Sequence, residues 1–299
     1  HPDYLEVIDD WVQMRETFAG QRTVKAAGFL YLPPTAGQVE DGAVINQSTT
    51  SVGYNNYNAY RTRARFPELV QEAVETFVSI MHAEEAVIEL PPELEPMRKD
   101  ATRKGESLQM LLMRINENQL VYGRYGLLVD VPQVVFRADD ERPHLVGFQA
   151  ENIINWDDER TQEFGTSRLN FLVINETSQS RGSGGIDVFD WAEGRRFRVA
   201  FLEALDPEFP PNEANPLVYK TFTEEDTTQS DTIIPQFMGV PLEDLPFTFV
   251  GANDLATKPD LIPLLPLSNS ALQIYRKSAD YEQNLHMQGQ DTLVIIGDI

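Results

Sequence analysis

The residues able to do acid, base or metal chemistry are scattered along this chain. Four histidines, His1, His82, His144 and His286, stand far apart with no HExxH or paired spacing, which is not the ligand pattern of a zinc site. Met81-His82-Ala83-Glu84-Glu85 reads as a solvated turn at a helix end, where the helix dipole favours His. With 47 acidic residues, chance carboxylate pairs are inevitable. Asp139-Asp140-Glu141, Asp157-Asp158-Glu159 and Glu224-Glu225-Asp226 therefore read as solvated loops rather than as glycosidase acids. The loop Gly182-Ser183-Gly184-Gly185 lacks the Lys-Ser/Thr of a phosphate loop, and the run after it, Ile186-Asp187-Val188-Phe189-Asp190, is acidic and strand-like. A hairpin tip is the expectation there. No catalytic residue, cofactor or metal is expected.

Charge patterning is more informative. Arg61, Arg63 and Arg65 alternate with Thr62 and Ala64, and Arg98, Lys99, Arg103 and Lys104 form a second basic cluster. In an acidic chain such patches can meet acidic surfaces of neighbouring copies, with ordinary solvation as the alternative. Arg276, Lys277, Asp280 and Glu282 put both signs of charge within one and a half helical turns. Arg276 and Asp280 have i, i+4 spacing, worth only a few tenths of a kcal/mol locally. Such a face could line a wet surface or meet the next subunit.

The elements that must carry these residues follow from periodicity. Leu5, Ile8, Val12 and Met14, with Trp11, fit an amphipathic helix over 4–18 that ends near Gly20. Tyr31-Leu32-Pro33-Pro34 opens a polar loop, and 37–60, rich in Gly, Asn, Ser, Thr and Tyr without a clear period, is expected as an extended excursion able to wrap a neighbour. Phe66, Leu69, Val70, Ala73, Val74, Phe77, Val78 and Met81 follow helical spacing, with Pro67 placed to open the first turn. Ser107 can cap a helix bearing Leu108, Leu111, Leu112, Ile115 and Gln119 or Leu120 that ends near Gly123, and 127–131 is a buried strand closed by Pro132. From 168 to 250 short apolar runs at 169–174, 197–202, 217–222 and 246–250 predict a small β-rich module. Pro263 and Pro266 precede a helix from about Ser268, which leads through Gly289 to an apolar strand at 292–296.

Composition sets the class. The 299 residues are 41% hydrophobic, enough for a full core in two substructures. A net charge of −23 argues against a surface that grips nucleic acid, because phosphate binding needs clustered Lys and Arg; solubility is the plain alternative use of such acidity. Cysteine is absent, which excludes disulfides, thiolate metal sites and a Cys nucleophile and fits a reducing cytoplasm. No run approaches the ~18 apolar residues of a membrane helix. The chain lacks an initiator Met, which is expected of a trimmed or partial protein.

Several segments together resemble the portal, or head-to-tail connector, proteins of tailed bacteriophages, and in particular a portal-like phage family long catalogued as a domain of unknown function. They are His1-Pro2-Asp3-Tyr4, Tyr31-Leu32-Pro33, Tyr60-Arg61-Thr62-Arg63-Ala64-Arg65-Phe66, Gly105-Glu106-Ser107-Leu108, Tyr122-Gly123-Arg124-Tyr125-Gly126-Leu127-Leu128-Val129-Asp130 and Ser278-Ala279-Asp280-Tyr281-Glu282. The resemblance implies an α+β fold: a mixed α/β wing over 1–155, a stem entry and β-rich clip-like insertion over 156–261, and a stem helix returning to the wing over 262–299. It also implies a cyclic homo-oligomer, typically of twelve copies, at one capsid vertex. Such a ring would be assembled in the host bacterial cytoplasm and surround a channel through which double-stranded DNA passes without sequence-specific binding. Its partners would be the major capsid protein, the terminase motor, a head-completion adaptor and tail proteins. On this reading Arg276, Lys277, Asp280 and Glu282 lie at the channel or subunit seam, and Arg61, Arg63 and Arg65 at a subunit interface. A channel loop and crown would lie beyond the end of this chain. The alternatives are a head-completion adaptor and a carboxylate-based hydrolase.

Overall fold

The computed structural model describes residues 1–43, 50–102, 104–130, 143–160, 167–181, 191–225, 228–237 and 239–289. The Gly182-Ser183-Gly184-Gly185 tip, Asp139-Asp140-Glu141, Arg103, Asp226, the strand end at Val131-Pro132 and the strand expected at 292–296 lie outside the described residues. In chain order the helices α1 (Pro2–Phe18), α2 (Gln21–Ala26), α3 (Ala36–Glu40), α4 (Val52–Arg63), α5 (Leu69–Met81) and α6 (Leu108–Tyr122) come first. The strands are β1 (Arg124–Asp130), β2 (His144–Gln149), β3 (Ile153–Arg160), β4 (Ser167–Asn175), β5 (Ser178–Arg181), β6 (Trp191–Gly194), β7 (Arg196–Ala204), β8 (Leu217–Glu225), β9 (Thr228–Gln229), β10 (Gln236–Phe237), β11 (Val240–Pro241) and β12 (Phe247–Gly251). Helix α7 (Leu265–Gln288) follows. The fold is α+β. Among the described residues no helix is long and apolar enough to cross a membrane.

Two compact units emerge: His1–Trp11 with His82–Ile262, and Val12–Met81 with Pro263–Ile299. The first is β-rich. Its antiparallel sheet β12-β1-β2 uses the period-2 alternation of strands. Tyr125 and Leu127 face Leu111 and Ile115 of α6, while Leu128 joins Phe148, Phe247 and Phe249 on the other face. The second sheet, β3-β4-β7-β8-β9, contributes Trp156, Leu172, Ile174, Ala200 and Tyr219 to that same core. The two sheets therefore share one apolar interior. The run at 246–250, expected within the β-rich module, instead supplies β12, which pairs with β1 in register Leu128↔Phe247. Local pattern identifies a strand; it does not identify the strand's partner.

Capping explains where α6 starts and stops. Ser107 Oγ accepts from Met110 N, and Gly123 ends the helix in the left-handed region at φ 75°, where a Cβ would be strained. Gly126 answers a different demand: a Cβ there would stand 2.6 Å from both Ile153 Cδ1 and Phe247 Cζ, so the strand can pass between those side chains only as glycine. Past Ile115 the buried face of α6 runs through Asn118, Val121 and Tyr122 rather than through Gln119 or Leu120, which are only half-buried. At the start of the chain Tyr4 Oη donates to Glu151 O and Trp11 Nε1 to Tyr122 O at 2.8 Å.

The second unit is helical. Its core joins Val24, Tyr31, Leu32, Tyr57, Tyr60 and Phe66 to Leu272, Tyr275 and Ala279 of α7. The extended excursion expected at 37–60 is corrected here: the described part forms α3 and α4, with a Thr35/Gln38 capping box and Ser51 accepting from Tyr54 N. Gly53, Tyr57, Tyr60 and Ala64 are all buried, an i, i+4, i+7, i+11 stripe whose members are aromatic hydroxyls and small residues rather than aliphatics. That chemistry conceals the period. Helix α5 begins at Leu69, two residues after Pro67 rather than upon it.

Candidate functional site

Helix α7 is the element on which most of the predicted site residues lie. It begins at Leu265 rather than near Ser268, with Pro266 in the first turn, where a missing N–H removes no hydrogen bond. At ~1.5 Å per residue its 24 residues span ~36 Å. One face is buried through Ser268, Ala271, Leu272, Tyr275 and Ala279. Near its start, Thr17 Oγ1 and Ser268 Oγ lie 3.0 Å apart, and Gln13 Nε2 donates to Ser268 Oγ and to Asn269 Oδ1.

Farther along, the end of α4 and the three residues after it meet the polar side of α7. Tyr60 Oη donates to Asp280 Oδ1 at 2.6 Å. Arg63 Nη2 donates to Gln283 Oε1. Ser278 Oγ accepts from Arg65 N at 3.1 Å, and Arg65 Nε stands 3.6 Å from Glu282 Oε1. Arg276 Nε donates to Tyr31 O at 2.8 Å. The two groups that sequence reading kept apart, Arg63 and Arg65 on one hand and Asp280 and Glu282 on the other, thus lie along one seam within this unit. Arg61 turns aside to Asn58 Oδ1 and sits over the Tyr57 ring at 5.9 Å. Lys277 is exposed. The i, i+4 pair expected between Arg276 and Asp280 is not the contact made; Tyr31 O and Tyr60 Oη offer partners from packed elements, and these win over a weak local pair.

Burial sets the chemistry of the hydroxyls. It pushes Tyr60 above the ordinary tyrosine value, and the hydrogen bond and charge of Asp280 push it further. Tyr31 is raised the same way, by burial and then by its 2.5 Å bond to Glu16 Oε2. Burial also lifts Tyr57, to about 12. At neutral pH these groups are donors to carboxylate or carbonyl oxygens, which is a structural use. On the outer side of α7, Ile274, Tyr281, Leu285 and Met287 are exposed, Tyr281 by 63%.

Elsewhere the remaining candidates resolve individually. His82 is not a free solvated turn: its Nε2 meets Asn116 Nδ2 at 2.9 Å and its Nδ1 meets Gln109 Nε2 at 3.4 Å. Asp157-Asp158-Glu159 and Glu224-Glu225 lie in β3 and β8, strands rather than loops, because the backbone ladders with β4 and β7 hold them extended. Strands β5 and β6, which flank the Gly182 loop, pair antiparallel. Arg98 bonds Glu95 and Ile88 O. Among the described residues no group of three or more His, Asp or Glu side chains could hold a metal ion.

Two positions that the sequence reading named only within longer segments, with no role of their own, stand out. Tyr60, the partner of Asp280, could have been found from the Tyr57/Tyr60/Ala64 spacing. Arg124 is 2% exposed, with its guanidinium carbon 3.9 Å from the Phe249 ring centroid and 4.9 Å from that of Trp156. Burial lowers it to about 10, against the opposing charges of Asp260 and Asp3. No protein-family model matches this chain, and no curated protein matches it.

Proposed function

We propose that this chain is a subunit of a tailed-bacteriophage portal: a ring at one capsid vertex through which double-stranded DNA is packaged and later ejected. The observation that carries this reading is the two-sided surface of α7. A 24-residue helix buries one face in its own unit and leaves Ile274, Tyr281 and Leu285 exposed on the other. An apolar stripe in the open is what a contact with a further copy would cover, and a head-to-tail contact closes into a ring. The portal-like segments around Gly123 and Ser278 support the same reading by resemblance.

The mechanism proposed is geometric and electrostatic. A chain of net charge −23 gives a channel without deep binding minima for phosphates, so DNA slides under motor force. The partners are then the terminase motor, the major capsid protein, a head-completion adaptor and the tail, and the location is the virion. Class averages of negatively stained full-length protein test it: rings with a central hole are expected, and only monomers or twofold dimers at micromolar concentration overturn it.

A further inference from the structure

The β-rich unit holds a cavity of about 340 Å³, at the small end of the range for ligand sites, ~300–1,000 Å³. One wall is ionic and polar: Asp130 at the end of β1, Arg198 on β7, and Tyr219 and Thr221 on β8. The rest of the lining is apolar at Val129, Ile233, Ile234, Pro235 and Leu242, with Gln236 among them. That side is fixed to the sheet. Tyr219 N donates to Leu242 O at 2.7 Å, and Thr221 and Ile233 exchange backbone hydrogen bonds of 2.9 and 2.8 Å.

The charges around the cavity do not balance. Arg198 Nε lies 2.7 Å from Glu176 Oε1, whereas its Nη1 stands 3.7 Å from Asp130 Oδ2, beyond hydrogen-bond reach. Glu176 is held by Arg196 as well, at 3.5 Å, and Arg196 also stands 3.7 Å from Glu225. Three carboxylates share two guanidinium groups, and the one on the cavity wall, Asp130, keeps only the 3.7 Å contact to Arg198. Burial lowers Arg198, yet Glu176 and Asp130 outweigh it and raise the group above its ordinary value. Tyr219 is raised by burial, with Thr221 and Arg198 opposing and Asp130 and Glu176 adding to the rise. An anion entering here would be repelled by the surplus carboxylate, and a neutral ligand would leave Asp130 with only its 3.7 Å pairing to Arg198. A cation on an aliphatic stem satisfies both walls at once.

We propose that this cavity binds a primary alkylammonium group, its nitrogen on Asp130 and its stem of about four carbons against Ile233, Ile234 and Leu242. A free alkylamine and a lysine side chain share that chemistry. The site stands independently of the ring reading.

Titration of the full chain with n-butylammonium and with neutral n-butanol, followed by the methyl NMR signals of Ile233, Ile234 and Leu242, tests it. Saturable shifts are expected, with the amine bound at least about tenfold more tightly than the alcohol. Asp130→Asn should bring the two within about twofold of each other. Leu242→Phe, which fills the aliphatic wall, should abolish binding of both and provides a second arm should Asp130→Asn misfold. A lysine-containing tripeptide run alongside identifies the source: tighter peptide binding points to a partner's lysine and tighter butylammonium binding to a free amine, and either order supports the site. Equal binding of amine and alcohol to the wild type, no saturable shift with butylammonium, or an amine preference that survives Asp130→Asn overturns it.

Discussion

Tyr60 donates its buried hydroxyl to Asp280 Oδ1 at 2.6 Å, joining the last turn of α4 to α7 across 220 residues of sequence. A hydrogen bond to a charged acceptor contributes ~1.5–3 kcal/mol net. A double-mutant cycle with Tyr60→Phe and Asp280→Asn, read by denaturant unfolding, should return a coupling energy of ~1–2 kcal/mol. Strict additivity of the two substitutions would show that the contact carries no energy.

Alkaline pH should weaken the fold. Tyr31, Tyr57 and Tyr60 all have raised pKa values in the folded chain. A raised folded value means that the unfolded state releases its proton first, so the stabilisation is complete below the ordinary value of 10.0 and is lost as pH rises above it. For Tyr57 the loss runs through about 12. Urea unfolding midpoints should be level below pH 9 or so and decline beyond ~10. Tyrosinate absorbance for these groups should emerge together with loss of helical circular dichroism rather than before it.

The exposed stripe of α7 offers a clean separation of assembly from folding. Tyr281→Glu and Leu285→Glu change exposed side chains and should alter unfolding free energy by less than ~0.5 kcal/mol. In the proposed ring they should abolish closure, since each repeats once per subunit. Sedimentation velocity measures the outcome, and intact rings in the double variant would remove this stripe from the interface.

Charge reversal on the seam acts differently. Asp280→Lys removes the acceptor of the Tyr60 hydroxyl and should cost ~2–3 kcal/mol in the isolated subunit. Glu282→Lys loses only a 3.6 Å pair with the exposed Arg65 and should cost under ~1 kcal/mol. Thermal melts that rank the two in the opposite order would contradict this account of the seam.

Gly126→Ala should destabilise by ~1–3 kcal/mol, because its methyl would meet Ile153 and Phe247 at 2.6 Å inside a filled core. Shortening the obstruction should restore part of the loss, so Gly126→Ala with Ile153→Val is expected to melt above the single variant.

Legibility tracked residue chemistry. The Ser107 and Gly123 caps could be read directly because each answers a local backbone demand, and the apolar runs announced β4, β7 and β8. Helix α4 was hidden because its buried stripe is Gly53, Tyr57, Tyr60 and Ala64, none of which counts as an aliphatic marker. The charged members of the seam were visible as charges, yet their partners were not: Tyr60, Ser278 and Gln283 are uncharged, and their pairing depends on segments brought together over more than 200 positions. The destination of β12 was lost for the same reason, since a strand's partner is a long-range fact.

All three tryptophans, Trp11, Trp156 and Trp191, belong to the β-rich unit, while six of the ten tyrosines, at 31, 54, 57, 60, 275 and 281, belong to the helical one. The two halves of the molecule therefore carry separate optical labels. Indole emission reports on the β-rich unit and phenol absorbance chiefly on the helical one, so a single heating run can show whether the units melt together or one after the other. With no native cysteine, a thiol introduced at exposed Lys277 would add a third label at a single position, on the charged side of α7.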